Sequence, residues 1–279
     1  MKKLIFSLII LLAYAGAFAQ SGVLDGVYVK EHTPERKVIP YTHLREADVM
    51  WSKRVWRILD LREKINHPLY FPTQRIQNRR CLMQVIFDGI QEGTITPYMD
   101  ENGDCEFKVQ MTKAEAMAKL NPPPDTLQVE NPDSPGEFIS KIVPKEFKPA
   151  DYKKFRMKED WFFDKQRSVL DVRIIGMAPV VTRYADDGSE KGDAIPFWIY
   201  FPECRYAFAN VEVYNRQNDA ERRTLEDIFW KRMFGSYIYK ETNVFDRIID
   251  EYAQGIDALM ESERIKEEIF LLEHDLWEL

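Results

Sequence analysis

The sequence is poor in the residues on which most enzymes rely. Its 279 residues include four histidines, three cysteines and twelve glycines. Histidine is the commonest general base and metal ligand, and here His32, His43, His67 and His274 are scattered. His43 and Glu46 stand at i,i+3 spacing, which reads more simply as a helix start with an acid in its first turn. No H-E-x-x-H, no G-x-S-x-G elbow and no phosphate-cradling glycine run occurs. The absence of any CxxC pair removes the zinc and dithiol-redox signatures. An odd cysteine count also prevents complete pairing within the chain. Cys81 reads as a small buried hydrophobe, which leaves a Cys105–Cys204 bond as the open pairing. The net charge of −7 argues against nonspecific nucleic-acid binding.

The N-terminus does carry a signal. Lys2 and Lys3 precede an apolar run, Leu4–Leu12, followed by small residues at Ala17 and Ala19. This is the pattern of a secretory signal peptide over residues 1–19. The run is shorter than the roughly 20 residues of a membrane span. No cysteine stands at the cleavage point for lipid attachment. Losing two lysines takes the charge from −7 to −9. The expected product is exported, with no direct insertion into a membrane.

Hydrophobic spacing organises the remainder. Over Leu44–Ile65, Trp51, Val55, Ile58, Leu59 and Ile65 follow a helical period. A second helix is expected from about Thr73 to Ile90. "TITPYMDENGDCEFKV" reads as strand, turn, strand, and "MTKAEAMAKL" as a short helix with Thr112 and Glu115 as a capping box. The N-terminal part, 20–120, is thus expected to be mostly helical. Residues 121–149 hold seven of the fifteen prolines. Proline removes an amide donor, so an extended connector or arm is expected there. In 150–279, "SVLDVRIIGMAPVV" and "IPFWIYFPECRYAFANVEVY" supply strands of an antiparallel sheet. Thr224, boxed with Asp227, caps a helix; helical stretches at about Phe245–Met260 and Glu261–Leu279 follow. The fold class is α+β, with helices at both ends, small antiparallel sheets between, and the Pro-rich connector in the middle. "MWSKRVW" and "FWKRMF" share an aromatic-basic-aromatic spacing that chance explains better than duplication.

Two acidic loops, "DENGDCE" and "DDGSEKGD", echo calcium loops but lack the glycine and glutamate positions these need, and read as hairpin turns. "KEDWFFDKQRSVLDVR", Lys158–Arg173, sets acids, three aromatics and bases side by side. Asp160 and Asp164 are the first candidates for an acid pair, but no histidine or serine nucleophile adjoins them. A rim of ion pairs with Trp161, Phe162 and Phe163 packed beneath, or offered to a partner, is the simpler reading. At the C-terminus, Ile265, Ile269, Leu272, Leu276 and Leu279 form a heptad seam about two heptads long. It either docks on its own domain or meets a basic groove on a partner. No catalytic, cofactor or metal residue is assigned; Trp161, Phe162, Phe163, Ile265, Ile269, Leu272 and Leu276 are the candidate interface.

Four blocks carry a family likeness: "SGVLDGVYVKEH", "VIPYTHLREADVMWSKRVWRILDLREKINHPLYFP", "KEDWFFDKQRSVLDVRIIGMAPV" and "RRTLEDIFWKRMFGSYIYKETNVFDR". Together they resemble the GldN/PorN family of gliding-motility and type IX secretion components of Bacteroidetes. The resemblance implies a periplasmic subunit associated with an outer-membrane lipoprotein, the K component, in large rings. It also implies contact with the periplasmic domain of the inner-membrane M component, and homo-oligomeric neighbours in the ring. It brings no catalytic residue with it. Against this scaffold stand a periplasmic hydrolase using Asp160 and Asp164, and a small-ligand module using "IPFWIYFPECRY".

Overall fold

The structure is a computed structural model. It describes Val27 and residues 36–277, apart from 77, 101–103, 122–124, 131–137, 144–146, 185–189 and 219. The chain divides into two units, Met1–Thr33 and Pro34–Leu279. The expected signal peptide and Leu279 lie outside the described residues.

In chain order the strands are β1 (Val49–Asp60), β2 (Pro97–Tyr98), β3 (Asp125–Glu130), β4 (Phe138–Val143), β5 (Lys154–Asp164) and β6 (Val169–Tyr184). They continue with β7 (Glu190–Ala194), β8 (Trp198–Tyr200), β9 (Glu212–Val213), β10 (Arg223–Thr224) and β11 (Tyr237–Glu241). The helices are α1 (His67–Tyr70), α2 (Leu82–Glu92), α3 (Lys113–Leu120), α4 (Phe201–Ala209), α5 (Leu225–Trp230) and α6 (Ile256–Trp277). A seven-stranded sheet in the order β11-β1-β5-β6-β8-β2, with β7 added to β6, dominates the second unit. Every ladder in it is antiparallel. The class is α+β, with a long helix at the C-terminus.

β1 overturns the helical reading of Leu44–Ile65. Successive side chains of a strand point to opposite faces, and β1 is covered on both. Leu59 joins the main core, Trp56 and Ile58 join a second cluster, and Val55 and Trp51 meet α6 in a third. Apolar residues used on both faces of one strand imitate a helical period. β5 pairs along nearly its whole length with β1 on one side and β6 on the other. The Lys158–Arg173 stretch is therefore the centre of the sheet and the hairpin that follows it.

Several local signals hold. The Thr112–Glu115 capping box starts α3, and Thr224 with Asp227 starts α5. Burial pushes the Asp227 carboxyl up, but hydrogen bonds from Thr224 and the charge of Arg36 outweigh it and leave the pKa below the usual range. Other expectations move. The second helix begins only at Leu82, where the Cys81 sulfur accepts the Gln84 amide. "FPECRYAFA" is helix α4 rather than strand, starting with Pro202 at a position where no amide is needed. The two expected C-terminal helices are one, α6, preceded by a short 3-10 turn at Ile249–Glu251. Within the Pro-rich stretch, β3 and β4 pair with each other in a separate two-stranded sheet. The prolines fall outside both strands, so no ladder amide is lost. Cys81, Cys105 and Cys204 are all free and buried, so the Cys105–Cys204 bond does not form.

Packing fixes the rest. Phe201, Phe208 and Phe229 meet with ring centroids 5.4–5.9 Å apart where α4 and α5 close over the main core. Phe107, on the loop after β2, lies edge-on to Tyr98, Trp198 and Tyr200. A Cβ at Gly176 would run into its ring, which is why β6 carries a glycine there.

Candidate interaction surfaces

The acids of β5 are occupied by ion pairs. Glu159 is wholly buried. Arg232, just past α5, reaches it with both terminal nitrogens at 3.0 and 3.1 Å. Trp161 Nε1 donates to the same carboxylate at 3.2 Å, and the Arg232 guanidinium lies 5.2 Å from the Trp161 ring centroid. Asp160 faces its cross-strand neighbour Arg54 and accepts two hydrogen bonds from it at 2.6 and 2.8 Å. Asp164 accepts from Arg167 Nε at 2.7 Å and from the amides of Gln166 and Arg167, which shape the β5–β6 turn. The Arg167 hydrogen bond leads in holding the Asp164 carboxyl below its usual pKa. A general acid working near neutral pH needs the opposite shift. Asp160 and Asp164 thus each have their own arginine.

Phe162 and Phe163 are buried, and Trp161 is partly buried against α6. On α6, Ile265 and Ile269 are buried with Val55, Ile238 and Ile249. Ser262, on the same face, accepts the Ile238 amide at 2.8 Å and so ties the helix to β11. Leu272 and Leu276 are half-buried. The first turns of the heptad seam lie on the chain's own core. Phe197, Trp198, Ile199 and Phe201, the aromatic-rich stretch considered for a small ligand, are also core residues.

A cleft of about 270 Å³ opens where residues 36–42 cross α4 and α5. Arg205 lies 4.3 Å from the Tyr41 ring centroid and 4.7 Å from that of Trp230. Its Nη2 donates to Glu226 and to the Ile39 carbonyl at 2.7 and 2.8 Å. Arg36 reaches Asp227 at 2.8 Å. Arg173 adds a hydrogen bond to the Thr42 carbonyl. Burial raises the Tyr41 pKa. The arginines here are consumed in clamping the N-terminal segment.

A wider groove, about 470 Å³, lies between the α1 region and the loop after β9. Phe71, Ile76 and Tyr214 give it large exposed apolar surfaces, and Lys64, Arg79 and Arg216 edge it. Among the described residues no carboxylate lines it. Sequence reasoning missed this groove, because its residues come from two stretches far apart in the chain, 64–79 and 214–216.

Among the described residues no three His, Cys, Asp or Glu side chains gather as a metal site. No described helix is long and apolar enough to cross a membrane. Compared with known families, residues 44–278 match the one described as "Gliding motility associated protein GldN". No curated protein matches the chain.

Proposed function

Because the chain belongs to the GldN family of gliding motility associated proteins, we propose that it is a non-catalytic structural subunit of the gliding and type IX secretion machinery. It works in the periplasm, at the outer membrane through its partners. It forms a ring with an outer-membrane lipoprotein, the K component, and with copies of itself. It links that ring to the periplasmic domain of the inner-membrane M component.

One observation supports this most. The acids and aromatics that resembled an active site are spent inside the fold, on Arg54, Arg167, Arg232 and the α6 interface. The uncovered surface includes apolar patches with charged edges, which suit contact with other proteins. Transmission of force between two membranes needs such contacts and no reacting group. The β3–β4 hairpin, paired only with itself, is suited to act as an arm toward a neighbour.

Affinity purification of the tagged chain from an envelope fraction, followed by electron microscopy, tests the reading. Co-purification with a lipoprotein in closed rings is the expected outcome. A chain recovered alone from intact envelopes, or one that turns over a hydrolase substrate with loss of activity in Asp160→Asn and Asp164→Asn, would overturn it.

A further inference from the structure

Two uncovered surfaces of this chain have complementary chemistry. The first is the outward side of α6. At 100° per residue, Ile256, Met260, Glu263, Glu267, Phe270 and Leu271 share the face opposite Ser262, Ile265 and Ile269. Met260 and Phe270 are 66% and 65% exposed, so the inner face holds the helix while the outer face stays bare. Among the described residues Glu263 pairs with Lys266, three residues on along the helix, at 3.1 Å. Glu267, midway between the apolar ends, has no ion-pair partner among the described residues.

The second is the groove beside α1. Phe71 and Ile76 are 50% and 54% exposed, and Tyr214 is 49% exposed. Lys64 and Arg216 have no carboxylate partner among the described residues, and Arg79 only lies over the Tyr214 ring at 5.7 Å. An apolar trough with three cations that have no carboxylate partner among the described residues is matched by an apolar helix face whose central carboxylate likewise has no described cation partner. Because both surfaces are bare on the same folded chain, neither is covered by the other within one molecule.

We infer that the outer face of α6 seats in the Phe71–Tyr214 groove of a second copy of this chain. The helix lays Met260, Phe270 and Leu271 against Phe71, Ile76 and Tyr214, and Glu267 meets Arg216. Helix-in-groove recognition uses such i, i+3, i+4 anchors. The two surfaces differ, so the contact is head-to-tail. It leaves a free groove at one end and a free helix at the other, and propagates until it closes. This deepens the proposed ring by naming its seam, and rests on that reading.

Sedimentation velocity of the chain over a concentration series is the test, with Glu267→Lys, Arg216→Glu and the two combined. All three change exposed positions, and circular dichroism with thermal melting verifies that each still folds. The wild-type chain is expected to associate reversibly. Each single charge reversal weakens association about tenfold, and the double reversal restores it, because the pair is re-formed with opposite polarity. A wild-type chain monomeric at every concentration, single variants that associate like wild type, or a double variant no better than the singles would each overturn the seam. Envelope co-purification of the same variants separates the two levels. Variants that sediment unchanged and still co-purify in rings overturn the seam and leave the assembly reading intact.

Discussion

Glu159 and Arg232 are 73 residues apart in sequence, yet the wholly buried carboxylate of the first is gripped by both terminal nitrogens of the second at 3.0 and 3.1 Å. The pair ties the segment after α5 to the central strand of the sheet. Removing one partner strands a buried charge, whereas removing both does not.

Arg232→Met should therefore cost about 3–5 kcal/mol of stability. The double variant Glu159→Met with Arg232→Met should recover much of that loss. Urea unfolding of wild type, both single variants and the double variant measures the cycle. A single variant as stable as wild type would contradict the pairing.

Stability should fall in acid. The Arg62 hydrogen bond leads in lowering the Asp60 pKa, and the Arg167 hydrogen bond does the same for Asp164. A carboxylate with a folded pKa below its unfolded value, about 3.9, contributes fully above that value. The contribution is lost as pH falls through the folded pKa. Urea midpoints between pH 6 and pH 2.5 should drop most steeply below about pH 4, and Asp164→Asn should make the drop shallower.

The two faces of α6 should respond differently. Ile265 is fully buried against Val55, Ile238 and Ile249, so Ile265→Ala should cost about 2–5 kcal/mol. Phe270→Ser, on the bare face, should change monomer stability by no more than about 0.5 kcal/mol. Chemical unfolding at low protein concentration compares the two.

Both capping boxes should be worth measurable stability. Thr112→Ala removes the acceptor of the exposed Glu115 amide and should cost about 1 kcal/mol. Thr224→Ala should cost about 1–2 kcal/mol, because it also strips a buried partner from Asp227. Melting curves of the two variants give the order.

The β3–β4 arm should be dispensable for folding. Its base is closed by the core: Tyr152 donates to the Leu120 carbonyl at 3.2 Å, and Phe147 stacks on Phe87 at 4.2 Å. Replacing 122–146 with a short Gly/Ser linker keeps both contacts. The shortened chain should melt as a soluble folded protein while failing to form rings visible by electron microscopy. Normal rings would remove the arm from the assembly.

Where chemistry acts over a few residues, the sequence spoke clearly. Thr112–Glu115 and Thr224–Asp227 start helices because each motif satisfies amides three residues away. Alternation marked β6, and the long family blocks carried the likeness that the match over 44–278 bears out. The Lys158–Arg173 stretch was legible as a rim of ion pairs over packed aromatics, but not as the middle of a sheet.

By itself the sequence determined the α+β class, the local caps and the family. Only the tertiary structure decided that Val49–Asp60 is a strand, since its apolar residues serve cores on both sides of a sheet that distant segments complete. It alone gave Glu159 an arginine, Asp160 a different one, and α6 a bare outer face opposite its docked side. The reason is range: a cap is settled within one helical turn, whereas burial, charge pairing and uncovered surface depend on which remote residues the folded chain brings alongside.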